Sequence, residues 1–169
     1  MKKFIVLSGL ILLSFSTLAQ SKVGSIDADY ILANLPEMAE VNEDLKSYNE
    51  ELQKELQTSI QSYETQVKDY QANNATFSEE EKKVKEEEII SLENEIKGFR
   101  QKAGVMMQMK RNELTRPLYE KINTAMLKVI ETENYTQILH AGGNSIAYSS
   151  PEFDITLKVL ELLGITIEN

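Results

Sequence analysis

The residues able to do chemistry are few. The 169-residue chain has one histidine, His140, and no cysteine. A Cys/His metal set and a thiol nucleophile are thereby excluded. His140 precedes Ala141-Gly142-Gly143, a turn sequence, and is expected at a strand end rather than as a ligand. Asp27 and Asp29 would suit paired-carboxylate acid–base work, but they stand where a strand gives way to a helix, so a turn and a helix cap are expected. Glu79-Glu80-Glu81 and Glu86-Glu87-Glu88 are expected early in a helix, where the macrodipole favours acids. With Lys82, Lys83 and Lys85 interleaved they read as a solvated face. No Gly-rich phosphate loop and no His/Glu metal spacing occurs. The expectation is a non-enzyme with no cofactor and no metal.

The elements around these residues are mostly helical. From Met38 the apolar residues fall at Val41, Leu45, Tyr48, Leu52, Leu56, Ile60, Tyr63, Val67 and Tyr70, steps of three and four that make one helical stripe. A second stripe runs through Ile89, Leu92, Ile96, Phe99, Ala103, Met106, Leu114, Leu118, Ile122, Ala125 and Val129. Between them Ser78 with Glu81 three residues on is a capping box, the start of a new helix. An antiparallel hairpin then pairs Leu45 with Met106, Tyr48 with Ala103, Leu52 with Phe99, Leu56 with Ile96, Ile60 with Leu92, and Tyr63 with Ile89. A helix of roughly 36 residues at ~1.5 Å each reaches ~54 Å, too long for a compact domain of this size. The expected organisation is a coiled-coil arm over 36–117, its tip near 73–78. A small β-rich oligomerisation body takes 20–35 and 118–169.

Met1-Lys2-Lys3, the apolar run Phe4–Leu13 and Thr17-Leu18-Ala19 form a signal peptide over 1–19, cleaved before Gln20. That is expected to place the mature chain outside the cytoplasm with no stable membrane insertion. Loss of Lys2 and Lys3 takes the net charge from −9 to −11, which disfavours nucleic acid and anionic lipid as partners. In the body, strands are expected over Lys22–Asp27, Tyr135–Leu139 and Ser145–Ser149, with Val23, Ile26, Tyr135, Ile138, Ile146 and Tyr148 in the body or oligomer core. Ser150-Pro151 is expected to open a last helix, ended by Gly164. So small a sheet is insecure alone, which argues for a homo-oligomer.

Some residues interrupt these patterns. Gly98 and Gly104 lie inside the second helix, each costing ~1 kcal/mol relative to Ala; the alternatives are a bendable arm and room for the ring of Tyr48. Pro117 should kink the helix or end a segment. Val105-Met106-Met107-Gln108-Met109 is apolar on more than one face, and broad burial is expected there. Phe77 reads as the hydrophobic staple of the second helix, packing near Lys82–Val84. Tyr70, Phe77, Met107 and Met109 are candidate contacts for a client chain.

With these pieces assembled, the chain resembles the Skp/OmpH family of periplasmic chaperones. The residues carrying the resemblance are Val23-Gly24-Ser25-Ile26-Asp27 leading to Ile31-Leu32 and Pro36, the hairpin, Pro117-Leu118-Tyr119-Glu120-Lys121-Ile122, Glu133-Asn134-Tyr135 with Ile138-Leu139, Ala147-Tyr148, and Asp154-Ile155-Thr156-Leu157-Lys158-Val159-Leu160. The resemblance implies an α+β, mostly α fold: a homotrimer whose small sheets form a β-barrel, with hairpin arms enclosing a cavity. It implies ATP-independent holding of unfolded outer-membrane β-barrel proteins. One departure is charge. Relatives have basic arms, whereas Glu37–Asn73 here has nine acidic and three basic residues, so capture of lipopolysaccharide or acidic clients is not carried over. The rival class is a structural or adaptor coiled-coil spacer of the cell envelope.

Overall fold

The computed structural model describes residues 21–167, so the expected signal peptide lies outside the described residues. The elements run β1 (Val23–Ile26), α1 (Ala28–Asn34), α2 (Met38–Asn73), α3 (Glu79–Glu133), β2 (Gln137–His140) and α4 (Thr156–Leu162), with 3₁₀ turns at Gly142–Asn144 and Pro151–Phe153. Two compact units result. Among the described residues one takes 21–31 and 122–167; the other is Leu32–Lys121.

The Leu32–Lys121 unit is built on the two long helices. Within α2 the expected stripe residues Leu45, Tyr48, Leu56 and Ile60 are half-buried and Leu52 is buried, between exposed neighbours. On α3, Ile96 is buried and Ile89, Leu92, Phe99, Ala103 and Met106 are half-buried. The Ser78–Glu81 box forms as written. Ser78 N–H donates to Glu81 Oε2 at 2.7 Å, and Glu81 N–H donates to Ser78 Oγ at 3.3 Å. Pro117 does not end α3, which continues to Glu133. The missing N–H leaves the Glu113 carbonyl without its usual donor, while two residues earlier Thr115 Oγ1 donates to the Arg111 carbonyl at 2.8 Å.

In the other unit β1 and β2 pair in parallel, with Val23 opposite Gln137 and Ile26 opposite His140. The second strand starts two residues later than expected. Asn134 at φ 57° closes α3, and Tyr135 N–H still donates to the Ile130 carbonyl at 3.1 Å. Ser145–Ser149 is not a strand. Ser145 N–H and Oγ both turn back to the Gly142 carbonyl, and Gly143 at φ 62° tightens that turn. Such local bonding competes with a ladder. The third segment beside the sheet is instead Asp154, bridged in parallel to Ser25, with Ile155 N–H donating to the Ser25 carbonyl at 2.9 Å. Pro151 opens only a 3₁₀ turn; α4 begins at Thr156, whose N–H donates to Asp154 Oδ1 at 2.8 Å. Gly164, at φ 78°, ends that helix as expected. Ile31, Ile155, Val159 and Leu160 are the most deeply buried side chains.

Candidate functional site

Asp27 accepts the N–H of Tyr30 at 2.9 Å, a cap on α1 rather than half of a catalytic pair. Asp29 Oδ2 lies 3.5 Å from His140 Nε2 at the end of β2. Sequence spacing gave no sign of this long-range contact. Both side chains are at least half exposed, which suits a surface polar contact. Among the described residues no His/Cys/Asp/Glu group could hold a metal ion. No helix among them is long and apolar enough to cross a membrane.

The features with scope for binding are faces and grooves. Across the hairpin, Tyr70 donates its phenol hydrogen to Glu86, which raises the Tyr70 pKa because the neutral phenol is the donor. The ring of Tyr70 meets Phe77 with centroids 6.3 Å apart. Phe77 thus pairs with the preceding helix, while its expected staple partner Val84 stands half exposed. Lys110 Nζ is 5.8 Å from the Tyr48 ring centre, and Lys121 bonds Glu37. Side chains lean toward the N-terminus of their own helix, so in an antiparallel pair long side chains meet from residues offset along the axis.

Two grooves flank the seam. One, of about 240 Å³, is lined by Leu52, Leu56, Phe99, Ala103, Gly104 and Met107. The other, of about 540 Å³, includes Glu55, Ser91, Asn94, Gly98, Phe99 and Lys102. A Cβ on Gly98 or Gly104 would meet nothing within 4 Å, so Gly104 is not making room for Tyr48. Nor is the Val105–Met109 stretch broadly buried. Met106 and Met107 are half-buried on the seam side, whereas Val105 is 59% and Met109 66% exposed. A helix has only one seam-facing side, so a stretch apolar all round must leave part of itself in solvent.

In the other unit Ile26 and Tyr135 are buried, Ile138 and Ile146 half-buried, Val23 and Leu139 more exposed, and Tyr148 82% exposed. Glu133, at the end of α3, receives Lys22 at 3.3 Å and Lys158 at 2.5 Å. Those two cations, Lys158 above all, hold its carboxyl below the ordinary carboxylate range. Lys22 also lies 3.9 Å over the Tyr135 ring centre. The start of β1, the end of α3 and α4 are fastened at this one carboxylate.

No curated protein matches the sequence. Among solved structures, a crystal structure of an OmpH-like candidate outer-membrane chaperone from Caulobacter crescentus CB15 superposes with a TM-score of 0.63. The match covers 89% of this chain and 90% of that one at 15% identity, a likeness of fold. A family model described as outer membrane protein (OmpH-like) matches residues 22–163. That span holds both strands, the hairpin and the α3–α4 clamp, and the chain belongs to the OmpH-like family.

Proposed function

We propose that the protein is a periplasmic, ATP-independent holdase chaperone that encloses unfolded outer-membrane β-barrel proteins between the helical hairpins of a homotrimer. The observation that carries this reading is a 36-residue helix paired with a 55-residue one in a chain of the OmpH-like family. Such a hairpin has a surface far larger than its own seam needs, and weak contacts spread along it restrain a sticky chain yet let it leave. Trimerisation is supported by what the single chain leaves open. Among the described residues β2 pairs only with β1, so its other edge is free. Leu139 on that strand is 40% exposed and Tyr148 82% exposed. Copies joined at that edge would pair the backbone groups that β2 leaves open.

Two measurements test the reading. Light scattering should give the mass of three chains, and the protein should suppress aggregation of an outer-membrane β-barrel diluted from urea at one trimer per client. A single-chain mass at micromolar concentration, or unhindered client aggregation, would refute it.

A further inference from the structure

The outward faces of the two long helices differ in charge. Opposite its seam, α2 carries Glu43, Glu50, Lys54 and Lys68, and between the last two only the polar Gln57, Thr58, Gln61 and Thr65, with no large apolar side chain. At about 100° per residue, the corresponding face of α3 holds Ile90, Asn94, Gln101, Val105, Gln108 and Asn112, with no charged group among them. All six are exposed, Ile90 at 55% and Val105 at 59%. This stripe runs for ~33 Å along a helix whose flanks are crowded with charge. Lys97 stands at its border, but its ammonium is drawn aside to Glu93 at 2.6 Å. Charges resume at Glu87 and Arg116. Gly98 opens one flank of the stripe and Met109, 66% exposed, lies along it.

We infer that this neutral stripe on α3 is the surface that holds an unfolded chain, and that the occupant is an extended segment low in charge that alternates apolar and neutral polar residues. The inference rests on the holdase reading and names the face that serves it. An extended chain presents apolar side chains together with backbone N–H and C=O groups that have lost their ladder partners. Gln108 Nε2 donates to Asn112 Oδ1 at 2.8 Å, which leaves the Gln108 carbonyl to accept and the Asn112 amide to donate. With Gln101 they answer both backbone groups, and Ile90, Val105 and Met109 answer the side chains. Charge matching excludes the other partners. An anionic lipid or nucleic acid finds no cation on the stripe. A folded apolar partner needs a contiguous patch, whereas Ile90 and Val105 stand ~22 Å apart along the axis.

The test uses the full-length protein with a photo-crosslinking residue at Gln101 or Gln108, and in separate variants at Gln57 or Gln61 on the outer face of α2. Each is mixed with an outer-membrane β-barrel diluted from urea. Crosslinks should form from the α3 positions and be several-fold weaker from α2. In parallel, Gln101→Glu with Gln108→Glu should weaken client affinity about tenfold, because carboxylates would face unpaired polar and apolar groups. Gln57→Glu with Gln61→Glu should leave affinity unchanged, with helicity by circular dichroism equal in both pairs. If the wild type suppresses aggregation but crosslinks are equal from both helices, or the α3 pair binds like wild type, this inference falls alone. If the wild type holds no client, the holdase reading falls and takes this one with it.

Discussion

A Cβ at Gly24 would stand 2.7 Å from Cε1 of Tyr135, 2.9 Å from Cδ1 of Ile138 and 3.0 Å from the Phe153 carbonyl oxygen. Strand β1 can lie against the end of α3 and the 3₁₀ turn only because this position carries no side chain. Gly24→Ala is therefore expected to destabilise the protein by about 1–3 kcal/mol, the usual cost of overpacking. The decrease should appear in urea unfolding as a lower midpoint at unchanged slope. A neutral result would mean that Tyr135 and the Phe153 backbone move aside at little cost.

How much of this was legible beforehand varies with the range of the interactions. The seam was readable because a helix repeats its face every three or four residues, and Leu52 and Ile96 are indeed buried. The Ser78–Glu81 box was readable because every partner lies within one turn. Ser145–Ser149 has a composition that suits a strand, yet Ser145 bonds back to Gly142, a competition that propensity does not register. The Asp29–His140 contact and the Glu133 clamp join residues far apart in sequence, and no periodicity announces them. Met109 belongs to a stretch apolar on more than one face, and its 66% exposure shows that such a pattern does not by itself bring burial.

Gly98 and Gly104 make a second case in which space decides the sign. Both lie inside α3, and an added Cβ would find open space at each. Replacing either by Ala lowers the entropy of the unfolded chain and introduces no clash, so each change should stabilise by about 1 kcal/mol. Denaturant unfolding measures this directly. Hydrogen exchange across 98–104 should slow in the double variant if these glycines soften the helix. If both variants are destabilised, α3 departs from regular helical geometry at these positions.

The start of α3 depends on a reciprocal pair. Glu81 is held below the ordinary carboxylate range first by the Ser78 backbone N–H and then by its hydroxyl. A depressed folded-state pKa contributes stability that is present above the unfolded value and lost as pH falls through the folded one. Ser78→Ala removes the cap and is expected to cost about 0.5–2 kcal/mol at neutral pH. The gap between variant and wild type should narrow on acidification as Glu81 protonates. Helicity near the hairpin turn, followed by residue-resolved amide exchange at pH 7 and below pH 4, tests both halves. A gap that stays constant with pH would separate the Ser78 cap from the carboxylate.

Glu133 extends the same sign argument to a long-range contact. Its carboxylate takes ammonium groups from Lys158 and Lys22, which come from opposite ends of the described chain. The hydrogen bond from Lys158 is the largest influence lowering its pKa, and the same contact raises that of Lys158. The carboxylate's contribution is thus complete above the ordinary carboxylate pKa and fades as pH falls through the lowered folded value. On the basic side, the Lys158 contribution is present below the ordinary ammonium pKa and fades as pH rises through the raised one. Glu133→Gln deletes both dependences while keeping the side chain's size, and leaves one acceptor oxygen where the carboxylate offers one to each of Lys158 and Lys22. Its stability should lie below wild type between about pH 5 and 10, and the two curves should converge only as pH falls through the lowered Glu133 value. Lys158→Met should reproduce the convergence on the acid side, since the carboxylate then loses its nearer cation. Urea unfolding across pH for the three proteins gives the comparison, and parallel curves for wild type and Glu133→Gln would show that Lys22 and Lys158 are held by packing rather than by charge.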